Sequence, residues 1–109
     1  MSDRFDSYLR QAADHVRDGD LSRAEGFERL ARQTLQALGS PPRLAARLHA
    51  HRGERAMRQA DYPLAEEAFT QAIAALREAG GGGRELFDLL QRVGLARSHQ
   101  GADERALVA

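Results

Sequence analysis

The sequence predicts an all-α fold in which antiparallel helical hairpins stack on one another, and three observations support this prediction. The chain repeats at a period of 41 residues, which places Ala24, Ala65 and Ala106 at equivalent positions. Val, Ile and Thr together supply only six of the 109 residues, so residues that favour strands are scarce. Apolar residues recur at helical spacing in each segment. A period of this size is typical of a supersecondary unit stacked on itself.

Composition limits the class of protein. We expect one domain, with repeats at about 2–39 and about 41–79 and a partial repeat at about 84–109. The 16 acidic and 16 basic residues give zero formal net charge, which does not favour generic binding to polyanions. Without cysteine the chain forms no disulfide and no thiolate metal site, and no apolar run reaches membrane-spanning length. We therefore expect a cytoplasmic protein without a cofactor.

The first repeat contains two predicted helices. The first runs from about Ser2 to Asp18, and its apolar stripe comprises Phe5, Tyr8, Leu9, Ala12 and Val16. Gly19 ends this helix and Asp20 is the predicted N-cap of the next. One face of the second helix carries Leu21, Ala24, Phe27, Ala31, Thr34, Leu35 and Leu38. Gly39 closes it at the C′ position.

The third helix is predicted to begin after Ser40-Pro41-Pro42, with Ser40 as its N-cap, and to end near Ala60. Its apolar stripe is thin and comprises Leu44, Leu48 and Met57. The remaining positions are crowded with basic or histidine side chains, which are Arg43, Arg47, His49, His51, Arg52, Arg55 and Arg58. This helix is therefore more polar than its neighbours.

Asp61 is the predicted N-cap of the fourth helix, which has the clearest amphipathic pattern in the chain. Its apolar face comprises Leu64, Ala65, Ala68, Phe69, Ala72, Ile73 and Leu76. Gly80–Gly83 ends it, and four glycines predict a joint that is more mobile than Gly39–Pro42.

The fifth helix is predicted from about Arg84 to Gln100, with the tail from Asp103 to Ala109 forming the first two turns of a sixth. It is expected to bury Leu86, Phe87, Leu90 and Val93. Because no complete second helix follows to cover these side chains, we predict self-association as a homodimer through this helix.

The middle copy resembles the tetratricopeptide repeat. It has Gly53 on its first helix, then the turn Ala60-Asp61-Tyr62, and Ala65, Phe69 and Ala72 on its second. The other copies match more loosely: Glu28 stands where the first should carry the aromatic residue, with Phe27 one place early. The period exceeds the usual 34 residues by seven, as in the lengthened repeats of kinesin light chains.

The resemblance implies a non-catalytic adaptor that binds a protein or peptide partner in a groove lined by the first helices of the repeats. When the first helices of the three copies are aligned, two positions carry an Arg or His in every copy. These two positions are seven residues apart, so they lie on one helix face. The predicted groove residues are Arg10, Arg17, Arg47, His51, Arg58, Arg92 and His99. We predict that they bind an acidic peptide segment; the alternative is an ordinary solvated face. The chain has no Asn, so the Asn-containing carboxylate clamp of chaperone-binding members is not carried over.

No catalytic arrangement is evident, and we expect neither enzyme activity nor a metal site. His49 and His51 are two residues apart, so they point to different sides of a helix. A metal site would need two ligands four residues apart or a nearby carboxylate, and neither histidine has a ligand or carboxylate four residues away. Gly80–Gly83 lacks the Lys-Ser/Thr that follows a phosphate-binding loop. A second hypothesis is a small helix-turn-helix DNA-binding regulator formed by residues 31–48, with further basic side chains along its second helix at Arg43, Arg47 and Arg52.

Overall fold

The computed structural model describes the backbone of residues 3–108 and the side chains of residues 3–102. Five helices occupy this range: α1 (Asp3–Arg17), α2 (Leu21–Ala37), α3 (Pro42–Arg58), α4 (Tyr62–Glu78) and α5 (Gly83–Val108). No strand occurs among the described residues. α1 packs on α2, α3 on α4, and α5 on α4, so short turns produce stacked antiparallel hairpins. The all-α prediction is confirmed.

The period of the sequence sets the helix boundaries. α4 begins and ends 41 residues after α2, and α3 ends 41 residues after α1. The predicted aspartate caps occur at both equivalent turns. Asp20 Oδ1 accepts a hydrogen bond from the backbone N–H of Arg23 at 3.2 Å, and Asp61 Oδ1 accepts one from that of Leu64 at 3.3 Å. Each cap satisfies one of the free N–H groups at a helix start.

The joint between α2 and α3 differs from the prediction at one residue. Pro41, rather than Ser40, is the N-cap of α3, and no side chain caps this helix. Ser40 instead has a positive φ of 54°, and its backbone N–H donates to the carbonyl of Leu35 at 2.9 Å. Ser40 therefore closes the preceding helix, because this bond satisfies a carbonyl group at the end of α2.

The glycine-rich joint is closed in the same way. The backbone N–H of Gly81 donates to the carbonyl of Leu76 at 2.9 Å, as Ser40 does in the first joint. A Cβ atom on Gly81 would overlap the side chain of Leu76, so this glycine is packed rather than free of neighbours. The relative mobility of the two joints stays a prediction.

Two clusters of buried apolar side chains form the core. The first joins α1, α2 and α3 through Phe5, Leu9, Ala31, Leu35 and Leu48. The second extends over α3, α4 and α5, and its largest member is the fully buried Phe69. A Cβ atom on Gly53 would lie 2.5 Å from Cε1 of the Phe69 ring. The glycine of the tetratricopeptide-like motif is thus required here because α3 accommodates a ring from α4.

The structure corrects two predictions for α5. Phe87 and Leu90 are exposed at 59% and 47%, whereas Leu89 and Ala96 join Val93 in the core. Leu86 is partly buried against the same core. The buried stripe of α5 therefore lies on a different side of the helix from the predicted one. The apolar residues of α5 are spread over several sides of the helix, so more than one stripe has helical spacing.

The second correction concerns the end of α5, which continues to Val108 without the predicted break between Gln100 and Asp103. Continuing α5 through residues 101–108 adds backbone hydrogen bonds without a new nucleation step.

Candidate functional site

A groove crosses the first helices of the three repeats. One part lies between α3 and α5 and has a volume of about 530 Å³. The apolar side chains that line this part are Ala46, Ala50, Leu76 and Leu89. A second part lies between α1 and α3, and the two parts share Arg47, Ala50 and His51. We call this continuous surface the α1–α3–α5 groove.

The border of the groove carries charges of both signs, in addition to the basic side chains and histidines predicted from the sequence. Its arginines include Arg10, Arg43, Arg47 and Arg92, and its carboxylates are Asp6, Glu54, Glu85 and Asp88. Nearby carboxylates reduce the positive potential that an isolated row of arginines would produce. The groove is therefore suited to a ligand with a mixed pattern of apolar and charged groups.

Two of the groove arginines are fixed by contacts within the protein. Arg47 Nη1 donates to Asp6 Oδ1 at 2.6 Å, and its guanidinium carbon lies 5.5 Å from the centre of the Phe5 ring. Arg92 forms an ion pair with Glu54, and its guanidinium carbon lies 5.9 Å from the centre of the Phe69 ring. Both side chains combine an ion pair with a cation–π contact, which limits their freedom to move.

Four of the seven predicted groove residues line the groove, namely Arg10, Arg47, His51 and Arg92. The other three do not. Arg17 and Arg58 are the last residues of α1 and α3, so their exposed side chains lie at the turns, and Arg17 pairs with Asp14. The ring of His99 stacks on Tyr62 of α4, with centroids 4.5 Å apart. The second of the two predicted positions is therefore outside the groove.

A buried ion pair next to the groove was not predicted. Glu28 and Arg55 are only 3% and 8% exposed. Arg55 Nε donates to Glu28 Oε2 at 2.7 Å, and Arg55 Nη2 donates to Glu28 Oε1 at 3.1 Å. Arg55 Nη1 also donates to Glu25 Oε1 and Gln59 Oε1. Since Glu28 lies on α2 and Arg55 on α3, this bidentate ion pair links the first hairpin to the second.

The sequence did contain one signal for this pair. Glu28 stands 41 residues before Phe69, so it occupies the aromatic position of the first copy. The neighbouring Phe27 is only partly buried and stacks instead on His15, with ring centroids 5.4 Å apart. A carboxylate at an interior position requires a positively charged partner, which the sequence alone could not identify among the many arginines of α3.

His51 connects this ion pair with the groove. Its Nε2 atom lies 3.6 Å from Glu28 Oε2, and Arg52 Nε lies 3.7 Å from Glu28 Oε1. Both nitrogen atoms are buried and accept or donate no hydrogen bond among the described residues. Burial lowers the pKa of His51 below its ordinary value; Glu28 opposes this shift and Arg55 adds to it. His51 is therefore neutral at pH 7, with its ring between the groove and Glu28.

Neither a metal-binding cluster nor a membrane-spanning helix occurs among the described residues. Among residues 3–102, no three His, Cys, Asp or Glu side chains gather in a way that could hold a metal ion. Within residues 3–108, no helix combines the length and apolar character needed to cross a membrane. Comparison of the chain with models of protein families, with curated proteins and with solved structures found no match. The resemblance to tetratricopeptide repeats therefore rests on the residues of this chain.

Proposed function

We propose that the protein is a non-catalytic protein-interaction module, similar to tetratricopeptide adaptors, that binds a peptide segment of a partner protein. The observation that supports this most strongly is the α1–α3–α5 groove, with its apolar floor and charged border. An apolar side chain of the peptide would lie on Ala46, Ala50 and Leu89, and polar groups at the border would fix its orientation.

The arginines favour a segment that carries carboxylates. Arg10 and Arg43 line the groove, are exposed, and form no ion pair with any described residue. A guanidinium can hold a carboxylate through two parallel hydrogen bonds, so these two side chains are the best available partners for an acidic peptide. Each exposed pair contributes only about 0–1 kcal/mol, so apolar contact with the floor must supply much of the affinity.

A selection from a random peptide library displayed on phage tests this proposal. Selected peptides are synthesised and titrated into the isotope-labelled protein, and we expect amide shift changes at the groove residues Ala46, Ala50 and Leu89. The charge reversals Arg10→Glu and Arg43→Glu, combined in one variant, should weaken binding at least about tenfold. The matched control combines Arg17→Glu with Arg58→Glu, outside the groove. Equal loss of binding in both variants, or shift changes confined to another surface, would contradict the proposal.

The alternative function is that of a small helix-turn-helix DNA-binding regulator. α2, the turn at residues 38–41 and α3 supply the required two helices. However, Arg47 is bonded to Asp6, and the Arg52 side chain is only 18% exposed. Few of the arginines on α3 are thus available to a phosphate backbone. A duplex titration separates the two functions, because a DNA binder loses about 10³-fold or more in affinity between about 50 and about 200 mM salt.

A further inference from the structure

An apolar stripe on α5, outside the groove, is uncovered. It comprises Phe87, Leu90 and Gly94, which follow one another at intervals of three and four residues on one side of the helix. Phe87 and Leu90 are 59% and 47% exposed, and no heavy atom lies within 4 Å of a Cβ atom built on Gly94. We call this surface the α5 stripe.

The repeat indicates what kind of structure fits this stripe. On α3, 41 residues earlier, the antiparallel helix α4 packs against the helix at Gly53. There the ring of Phe69 lies directly against Gly53, where a side chain would collide with it. Gly94 is the equivalent glycine of the third copy. The α5 stripe is therefore shaped for an antiparallel helix that places an aromatic ring on Gly94.

α5 itself carries such a ring in the correct place. Phe87 precedes Gly94 by seven residues, which is two helical turns, so both lie on the α5 stripe. Consider an antiparallel second copy of α5 related by a two-fold axis that passes between Leu90 and Gln91. Phe87 and Gly94 lie equally far from this axis along the helix, so each Phe87 meets the Gly94 of the other copy. The stripe is self-complementary, which is the condition for a closed two-fold interface.

We propose that the protein forms a homodimer in which two α5 helices pack antiparallel through the α5 stripe, each Phe87 against the Gly94 of the second copy. The charges near the stripe are compatible with this arrangement. Arg84 comes level with Arg97 of the second copy, but the Arg97 guanidinium already donates to Glu66 Oε2 at 2.9 Å. The zero formal net charge of the chain adds no general repulsion between copies.

Analytical ultracentrifugation of the full chain, from about 5 µM to about 500 µM, tests the proposal. We expect the wild type to show a concentration-dependent equilibrium between monomer and dimer. Phe87→Asp should raise the dissociation constant about 30-fold or more, as expected for a central aromatic contact. Leu95→Asp is the matched control, since Leu95 is similarly exposed at 51% on the same helix but lies off the stripe. A wild type that stays monomeric throughout, or an equal effect of both variants, would overturn the proposal.

Gly94→Ala provides a second test that loss of folding cannot imitate. Alanine favours a helix over glycine, and the site has room for a Cβ atom in the monomer, so the melting temperature of the monomer should rise. The same Cβ atom would meet the Phe87 ring of the second copy, so dimerisation should weaken about tenfold or more. A variant that dimerises as tightly as the wild type would overturn the predicted packing of Phe87 on Gly94.

Discussion

The buried carboxylate of Glu28 offers the sharpest test of how the two hairpins are held together. Replacing it by alanine leaves the guanidinium of Arg55, a residue that is only 8% exposed, without its two hydrogen bonds to Glu28. Removing one member of a buried ion pair costs about 3–5 kcal/mol. We expect the lower end of this range, about 3 kcal/mol, because Arg55 keeps hydrogen bonds to Glu25 and Gln59.

The control for this prediction is Glu25→Ala, which removes another carboxylate from the same arginine. The Glu25 side chain is 43% exposed, so water replaces much of its interaction and the expected loss is below about 1 kcal/mol. The free energy of unfolding is measured by urea titration with far-ultraviolet circular dichroism as the readout. Equal losses in Glu28→Ala and Glu25→Ala would refute the reasoning.

A double variant distinguishes loss of the charge pair from loss of packing. Glu28→Leu with Arg55→Met replaces both charges by apolar side chains of similar length, and such replacements are often neutral or stabilising. The equivalent position in the second copy is already apolar, since it is Phe69. We therefore expect the double variant to be more stable than Glu28→Leu alone. If it were less stable, Arg55 would have to stabilise the fold through contacts other than Glu28.

Two further predictions follow from the same geometry. Because the pKa of His51 is lowered in the folded state, the unfolded chain binds more protons, and stability should fall as pH drops below about 6.5. His51→Gln should reduce this loss of stability, which urea titrations at pH 7 and pH 5 measure. Ala60 has a positive φ of 57°, where the first copy uses Gly19, so Ala60→Gly should raise the free energy of unfolding by up to about 1 kcal/mol.

The lowered pKa of His51 also changes an expectation about binding. Charged histidines in the groove would strengthen binding of an acidic peptide below about pH 6.5. Since burial and Arg55 disfavour the charged form, His51 gains its charge only at a lower pH than an exposed histidine would. Binding should therefore strengthen at a lower pH than it would with an exposed histidine in the groove, and peptide titrations between about pH 7 and about pH 5 measure where the increase begins.

The sequence was most informative where a local rule decides the structure. The aspartate caps and the 41-residue period predicted the boundaries of α2 and α4, because capping and helix termination depend on residues close in the chain. It was less informative for α5, where apolar residues occur on several sides. There, the choice of Leu89 over Leu90 as a core residue depends on how the helix is rotated against α4, which is a tertiary property.

The groove shows the same limit for charges. Arg10, Arg47 and Arg92 all line the groove, but the sequence could not show that Asp6 and Glu54 already bind two of them. Such pairs join different helices, so they depend on the angle and spacing at which the helices pack. A row of arginines in a sequence therefore overestimates the positive charge available to a ligand unless those partners are known.

Glu28, which stands at the aromatic position of the first copy, also affects the groove. An aromatic ring at position 28 would pack against α1 within its own hairpin, as Phe69 packs against α3. Glu28 instead extends to Arg55 and approaches His51, both on the next hairpin. Because His51 also lines the groove, the contact that docks the hairpins lies directly behind the surface that would bind a peptide. The spacing of α1 and α3 across the groove is therefore set in part by a buried ion pair, whose geometry is more exacting than apolar packing because both charges must stay paired.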